Sequence, residues 1–390
     1  MRGIRWLGLL PGLTGCTPHP PPQTLAAPPP GWAAVTHLLD SAVASGAAPG
    51  AVLAVSLEGR HLYHATGRLG VDDPARPDST TIYDLASLTK VIALTTMAQL
   101  LVEEGTLELD VPVSRYLPAF SGGGRDSVTL RHLLTHSSGL PAWRPLHLQS
   151  ATRAEAFALA DTTALEAPPG ARFAYSDLGA IVMTQVVERS TGLRLDTLVR
   201  QRLIEPLQLQ DTGFLPDPSW ASRIAPTEND LWRGRTLRGE VHDENASRLD
   251  GVSGHAGLFA SARDMLVVAD WLISRWRGEQ DLTAERWSRE FTRRQDLPPG
   301  SSRALGWDTP SNGSSAGTRL GQESFGHTGF TGTSIWIDPA RGLAIILLSN
   351  RVHPTRQNPG WAPVRAAVAD LVSAVRDSAG ASGRGGGPCK

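Results

Sequence analysis

Ser87-Leu88-Thr89-Lys90 sets a hydroxyl and an amine three residues apart at the head of an apolar run. On a helix, positions i and i+3 share a face, so the two side chains can meet. A serine hydroxyl becomes a nucleophile when a neighbouring base takes its proton, and a neutral lysine can be that base. The helix N-terminus would add positive potential beside it. Of the 37 basic residues in the chain, 35 are Arg, and the two Lys are Lys90 and Lys390. Arg keeps its proton in proteins, whereas Lys can lose one when burial or nearby cations lower its pKa. The foldable body therefore uses Lys only where a base would serve. Taken alone, the pair also fits an N-cap serine beside a solvent-facing lysine.

Two later stretches bear on the same chemistry. Tyr175-Ser176-Asp177 precedes an apolar helix. A tyrosine at a helix mouth can shuttle protons where cations lower its pKa, and Asp177 can cap the helix. His327-Thr328-Gly329 leads into late strands. Gly329 lets a substrate approach the backbone, and a strand edge there could bind an extended chain. The N–H of Phe330 could join that of Ser87 as an oxyanion hole.

Ser-x-x-Lys, Tyr-x-Asn/Asp and Lys/His-Thr-Gly, in this order and at these separations, resemble the serine β-lactamase and penicillin-binding protein superfamily. Leu133 through Pro141 (LLTHSSGLP) and Pro169 through Gly179 resemble two stretches of its class C-like branch. The resemblance covers about residues 32–375. It implies that Ser87 is acylated, that Lys90 is its base, that Tyr175 assists proton transfer, and that His327 to Phe330 line the substrate strand. Asp177 stands where the family usually has Asn, and His327 where β-lactamases usually have Lys. The first change adds negative charge beside Lys90. The second fits D,D-peptidase-like members better than antibiotic destruction. Residues 242–246 and 251–259 (HDENA and GVSGHAGLF) resemble a subgroup of muropeptide amidases and low-molecular-weight penicillin-binding proteins. That subgroup implies a cell-wall peptide or muropeptide substrate. His255 could line the cleft or be a buried, hydrogen-bonded histidine. The expected activity is an acyl-serine hydrolase of the carboxypeptidase or amidase type. A carboxylesterase or weak β-lactamase, and a non-hydrolytic penicillin-binding sensor, are the alternatives.

No cofactor is implied. His132 and His136 stand four apart on a predicted helix, but no Glu follows the first as a zinc hydrolase requires, so no metal is expected.

The elements that would position these residues can be read from periodicity. Residues 32–45 and 88–104 have helical spacing, and Gly105 closes the second. Residues 51–57 and 61–66 read as a hairpin around Glu58-Gly59. From about 100 to 300 most periodic segments are helical, including 179–190 and 262–275. Strands return at 332–337 and 343–349, and a last helix spans about 362–375. The expected fold is α+β with two lobes. An antiparallel sheet built from both chain ends is flanked by helices, and a mainly helical lobe occupies about 85–320. This is the β-lactamase/D,D-peptidase-like fold that the resemblance also implies. A small-molecule or peptidoglycan-derived substrate would bind between the lobes.

With 390 residues, 41% of them hydrophobic, the chain can bury a sizeable core. A net charge of −1 without a basic stripe argues against nucleic acid as a partner. No run of about twenty apolar residues reads as a transmembrane helix. Arg2 and Arg5, a mostly apolar stretch from Trp6 to Leu13, and Leu13-Thr14-Gly15-Cys16 resemble a bacterial lipoprotein signal, cleaved before Cys16 and acylated on it. Residues 17–31 are proline-rich and read as an extended tether. Residues 377–390 read as a disordered tail. A monomer anchored by lipid in the cell envelope is expected, or a cytoplasmic protein if residues 1–16 are not a signal.

Overall fold

The computed structural model describes residues 23–25 and 27–382, so Cys16 lies outside the described residues. In chain order the strands are β1 (Gln23–Thr24), β2 (Gly50–Leu57), β3 (Arg60–Gly67), β4 (Ile82–Asp84), β5 (Gly213–Phe214), β6 (Asn229–Asp230), β7 (Arg235–Thr236), β8 (Leu258–Ser261), β9 (Phe325–Thr328), β10 (Ser334–Asp338) and β11 (Leu343–Ser349).

The central strands explain the layering. β2 and β11 are buried along their whole lengths. Side chains on a strand alternate between faces. Ala51, Leu53, Val55 and Leu57 of β2, with Leu343, Ile345 and Leu347 of β11, enter one core; Val52 and Ala54, with Ala344, Ile346 and Leu348, enter another. A sheet apolar on both faces needs cover on both. The helices Trp32–Ala44 and Ala362–Ser382 pack together over the first face through Trp32, Val35, Leu39, Val368 and Val372. The helix Ala262–Trp276 covers the second.

The large sheet runs β1-β3-β2-β11-β10-β9. It is antiparallel except for β1 on β3, so it is assembled from both chain ends as expected. The β2–β3 turn sits at Glu58-Gly59, both at positive φ (51° and 74°), which suits the twist of a two-residue hairpin.

Several expectations are corrected. Gln23–Thr24 lies within the segment read as a free tether, yet it pairs in parallel with Arg60 and His61. The last helix passes residue 375 and continues to Ser382, so residues 377–382 are helical rather than tail. The span 85–320, expected to be mainly helical, also holds strands. It carries the small sheet β4-β8-β5 and the hairpin β6–β7, and its helix Ala262–Trp276 belongs to the large sheet's back. These strands are two to four residues long, too short for an alternating pattern to register.

Candidate active site

The nucleophile turn begins where β4 ends. Asp84 is buried, and its carboxylate accepts the N–H of Ala86 (2.8 Å) and of His242 (2.7 Å). Burial pushes the Asp84 carboxyl upward in pKa, against the pull of these two N–H groups. Ala86 is held at φ +46°, a left-handed conformation that costs a non-glycine residue about 1–2 kcal/mol. The chain then enters the helix Ala86–Glu103, with a 3-10 first turn and a π-helical stretch over Lys90–Thr95. Over 18 residues this helix is apolar enough to cross a membrane by length and composition, but 83% of it is buried inside the protein; it is the core helix.

Ser87 and Lys90 meet as their spacing requires. Lys90 Nζ donates to Ser87 Oγ at 3.0 Å and to the His255 carbonyl at 3.1 Å. It lies 2.7 Å from Asp177 Oδ1, an ion pair by distance whose angles are not those of an aligned hydrogen bond. Three acceptors thus surround a buried ammonium that has three N–H bonds to give. Burial pushes the Lys90 pKa down, but the Asp177 carboxylate and the Tyr175 hydroxyl outweigh it and raise the pKa above the usual lysine value. The direction of this shift favours the ammonium at rest, and the neutral form that can accept a proton is reached on its deprotonation.

Tyr175 stands across the lysine. Lys90 Nζ is 4.9 Å from its ring centre, and the rings of His136 and His327 lie 4.5 Å and 5.8 Å away. His136 Nδ1 accepts the Ser176 N–H at 3.0 Å, which fixes the turn before the helix Asp177–Thr191. Ser176, not Asp177, caps that helix, through the N–H of Gly179. The Tyr175 hydroxyl is buried without a hydrogen-bond partner.

β9 forms the sheet edge beside the nucleophile turn. Gly326 exchanges two backbone hydrogen bonds with Asp308, which covers that part of the edge. His327 on β9 places Nδ1 2.8 Å from the Thr328 carbonyl, which assigns the proton to that nitrogen and leaves Nε2 buried and unpartnered. Burial, then the charges of Arg303 and Lys90, hold His327 and His136 well below the ordinary histidine pKa, so both are neutral. Thr331 and Thr333 donate to the carbonyls of Asp84 (2.7 Å) and Leu85 (3.0 Å), tying the loop after β9 to the nucleophile turn. Gly329 is the contact point, since a Cβ there would sit 2.1 Å from Thr333 Oγ1 and 2.4 Å from the Leu85 carbonyl. Among the described residues neither the Ser87 N–H nor the Phe330 N–H finds an acceptor. Two free donors on adjoining turns suit an oxyanion.

His255 does not present its side chain to the cleft. The imidazole is buried, with Nδ1 2.8 Å from Ser253 Oγ and Nε2 2.8 Å from Asp243 Oδ1. Its backbone carbonyl is what reaches the site, on Lys90. Ser253 is wholly buried, so this Ser–His–Asp string is no second nucleophilic centre.

Arg303 was not foreseen. Its guanidinium lies 5.4 Å from the ring centres of both Phe173 and Tyr175, its Nη1 is buried and unpartnered, and its nearest carboxylate, on Asp308, is 3.7 Å from Nη2. One Arg among 35 carries no local signal of this. His136 was given no role beyond its place in the Leu133–Pro141 stretch and a possible metal pairing with His132, whose Nδ1 instead accepts the Thr129 N–H at 3.1 Å.

The profile of the Beta-lactamase family matches residues 35–370. The chain belongs to the β-lactamase family. Within it, the chain is 33% identical over 360 residues to an N-acetylmuramyl-L-alanine amidase of Bacillus subtilis, covering 82% of this chain and 80% of that one. It is 33% identical over 318 residues to a putative D-alanyl-D-alanine carboxypeptidase of Salmonella schwarzengrund, covering 73% of each. The fold matches a penicillin-binding protein homologue from Caulobacter crescentus with a TM-score of 0.72 at 20% identity, over 90% of this chain and 99% of that one. The two-lobed α+β arrangement is thus that of the family.

Proposed function

We propose that this protein is a serine hydrolase that cleaves amides of cell-wall peptides or muropeptides through an acyl-enzyme on Ser87. The observation that carries the reading is Lys90 Nζ, 3.0 Å from Ser87 Oγ and enclosed by Asp177 and the His255 carbonyl. The amidase and carboxypeptidase relatives both carry names of cell-wall amide hydrolases, and a shared acyl-enzyme chemistry serves either bond.

In this mechanism Ser87 Oγ bonds to the amide carbonyl carbon and its proton passes to Lys90 in the neutral form. The carbonyl electron pair moves onto oxygen, facing the N–H groups of Ser87 and Phe330. Collapse breaks the C–N bond, and the amine leaves with a proton relayed from Lys90 by way of Tyr175, whose hydroxyl has no other partner. Water then repeats the sequence on the acyl-enzyme. With His327 neutral, Arg303, set against the Tyr175 ring, is a cation that a substrate carboxylate could meet.

The test is intact-mass and product analysis with a purified muropeptide digest. New amine and carboxyl termini, a transient Ser87 adduct, and a loss of turnover of at least about a thousandfold in Ser87→Ala support the reading. Turnover of p-nitrophenyl esters alone would make it a carboxylesterase. A persistent β-lactam adduct without muropeptide turnover would make it a sensor.

We further propose export and lipid anchoring at Cys16, supported by Arg2, Arg5, the apolar stretch after them and Leu13-Thr14-Gly15-Cys16. Mass spectrometry of the membrane fraction should find an acylated N-terminal Cys16. A soluble chain that keeps Met1 would overturn it.

A further inference from the structure

Two large indoles at the cleft play no part in the chemistry above. Trp143 and Trp232 are 47% and 43% exposed. They meet the same imidazole, His147, whose ring centre is 6.0 Å from Trp143 and 5.0 Å from Trp232. His147 is pinned. Asn245 Oδ1 accepts its backbone N–H at 3.0 Å and lies 3.1 Å from its Nδ1. Arg248 donates to the His147 carbonyl at 3.1 Å. The two indoles therefore rest on a rigid support, where ordering a ligand demands little loss of protein freedom.

Their neighbours link them to the reacting centre. Trp143 follows Ala142, whose carbonyl accepts the N–H of Asp177, the partner of Lys90, at 2.9 Å. Trp232 lies at the tip of the β6–β7 hairpin. Its neighbour Arg233 stacks on the indole at 5.0 Å and donates to the carbonyls of Val241 (2.9 Å) and His242 (3.2 Å). His242 in turn stacks on Phe330 at 5.8 Å. The platform is thus joined to Lys90 through Ala142 and Asp177, and to Phe330 through Arg233 and His242.

The chemistry selects a ligand. Among the described residues neither indole N–H has an acceptor within the protein, whereas those of Trp336 and Trp361 are bonded. Half-exposed indoles whose edges carry free donors, Trp232 with Arg233 stacked on it, suit a pyranose, which offers a flat C–H face for stacking and a rim of oxygen acceptors. A purely aliphatic side chain would leave both donors unused. We propose that Trp143, Trp232 and His147 form a saccharide subsite that holds an N-acetylated hexosamine ring of the substrate beside the scissile amide. The proposal rests on the cell-wall hydrolase reading for the substrate and adds which part of it the protein grips: the glycan as well as the peptide.

The binding test needs no turnover, so its failure is distinguishable from failure of the hydrolase reading. The full chain carrying Ser87→Ala is titrated calorimetrically with the peptide-free disaccharide N-acetylglucosaminyl-N-acetylmuramic acid. Binding is expected, and Trp143→Ala or Trp232→Ala should each weaken it about tenfold, while Trp143→Phe keeps most of it. Thermal melts of each variant establish that it is folded. In the Ser87 background, the ratio of kcat/KM for a sugar-bearing over a sugar-free stem peptide should fall about tenfold with either Ala substitution. Absence of disaccharide binding to the Ser87→Ala protein, or an affinity left unchanged by both Trp→Ala substitutions, overturns the proposal. So does a sugar-free peptide that competes for the platform as strongly as the sugar-bearing one.

Discussion

At the scale of single residues, the state of Lys90 governs the chemistry. An ammonium donates to Ser87 Oγ and cannot take its proton, so activity should rise with pH as the lysine deprotonates. Asp177 holds that proton in place: its carboxylate raises the Lys90 pKa against the effect of burial. Removing the carboxylate lowers the pKa and enlarges the neutral fraction at any given pH. Asp177→Asn should therefore move the acid limb of kcat/KM to lower pH, which a pH–rate profile measures; an unmoved limb would show that another group is the base. Tyr175 offers a cleaner separation of catalysis from folding. Its buried hydroxyl makes no aligned hydrogen bond and its effect falls on Lys90, so Tyr175→Phe should change Tm little. If the hydroxyl relays the leaving-group proton, kcat falls by about 10²–10⁴ in the same variant.

Among elements, the site depends on two turns locked against each other. One is the turn from β4 into the core helix, with Ala86 at φ +46° and the Asp84 carboxylate on its N–H. The strain persists because buried hydrogen bonds on both sides determine it. The other is the loop after β9, tied to the carbonyls of Asp84 and Leu85 through Thr331 and Thr333. Gly329 lets the two approach. A Cβ there would meet the Leu85 carbonyl at 2.4 Å, and backbone cannot step aside cheaply. Gly329→Ala should push the Phe330 N–H away from the nucleophile and cut kcat by about 10²–10³, the usual worth of one oxyanion donor. The comparison is kcat against Tm: a variant with full kcat would mean that the Phe330 N–H takes no part.

For the whole molecule, the cleft's outer wall is held by charges from distant parts of the chain. Glu228 receives His242 Nε2 at 2.9 Å and the Arg356 guanidinium at 2.5 Å, and Arg356 also reaches Glu244 at 2.7 Å. Burial pushes the Glu228 carboxyl up, but the bonds from His242 and Arg356 prevail and hold it at about 2, from an ordinary 4.5. A carboxyl with a depressed folded pKa stabilises above its unfolded value and loses that contribution as pH falls through the folded one. The window here is 4.5 down to about 2. Glu228→Gln should be less stable at neutral pH and should lose less stability across that window than the parent. Urea melts at pH 7 and pH 3 measure both differences, and parallel losses in the two proteins would remove Glu228 from the acid response.

The sequence by itself determined what is local. Ser87 and Lys90 share one helix turn, so their meeting needed only helical spacing. The two hairpin strands and the late strands were legible because each repeats its pattern over enough residues to show its period. The order of the three motifs along the chain carried the family. Tertiary structure decided what depends on groups brought from far apart. Whether Lys90 rests charged turns on Asp177, which arrives from another helix. Whether His255 faces the cleft turns on Asp243 and Ser253, which draw its ring inward and leave only its carbonyl for the lysine. Arg303 joins the site because the fold sets it against Tyr175, with the Asp308 carboxylate 3.7 Å away. Periodicity reports which face of an element is apolar; it does not report which element will cover that face, as the helix Ala262–Trp276 on the back of the sheet shows.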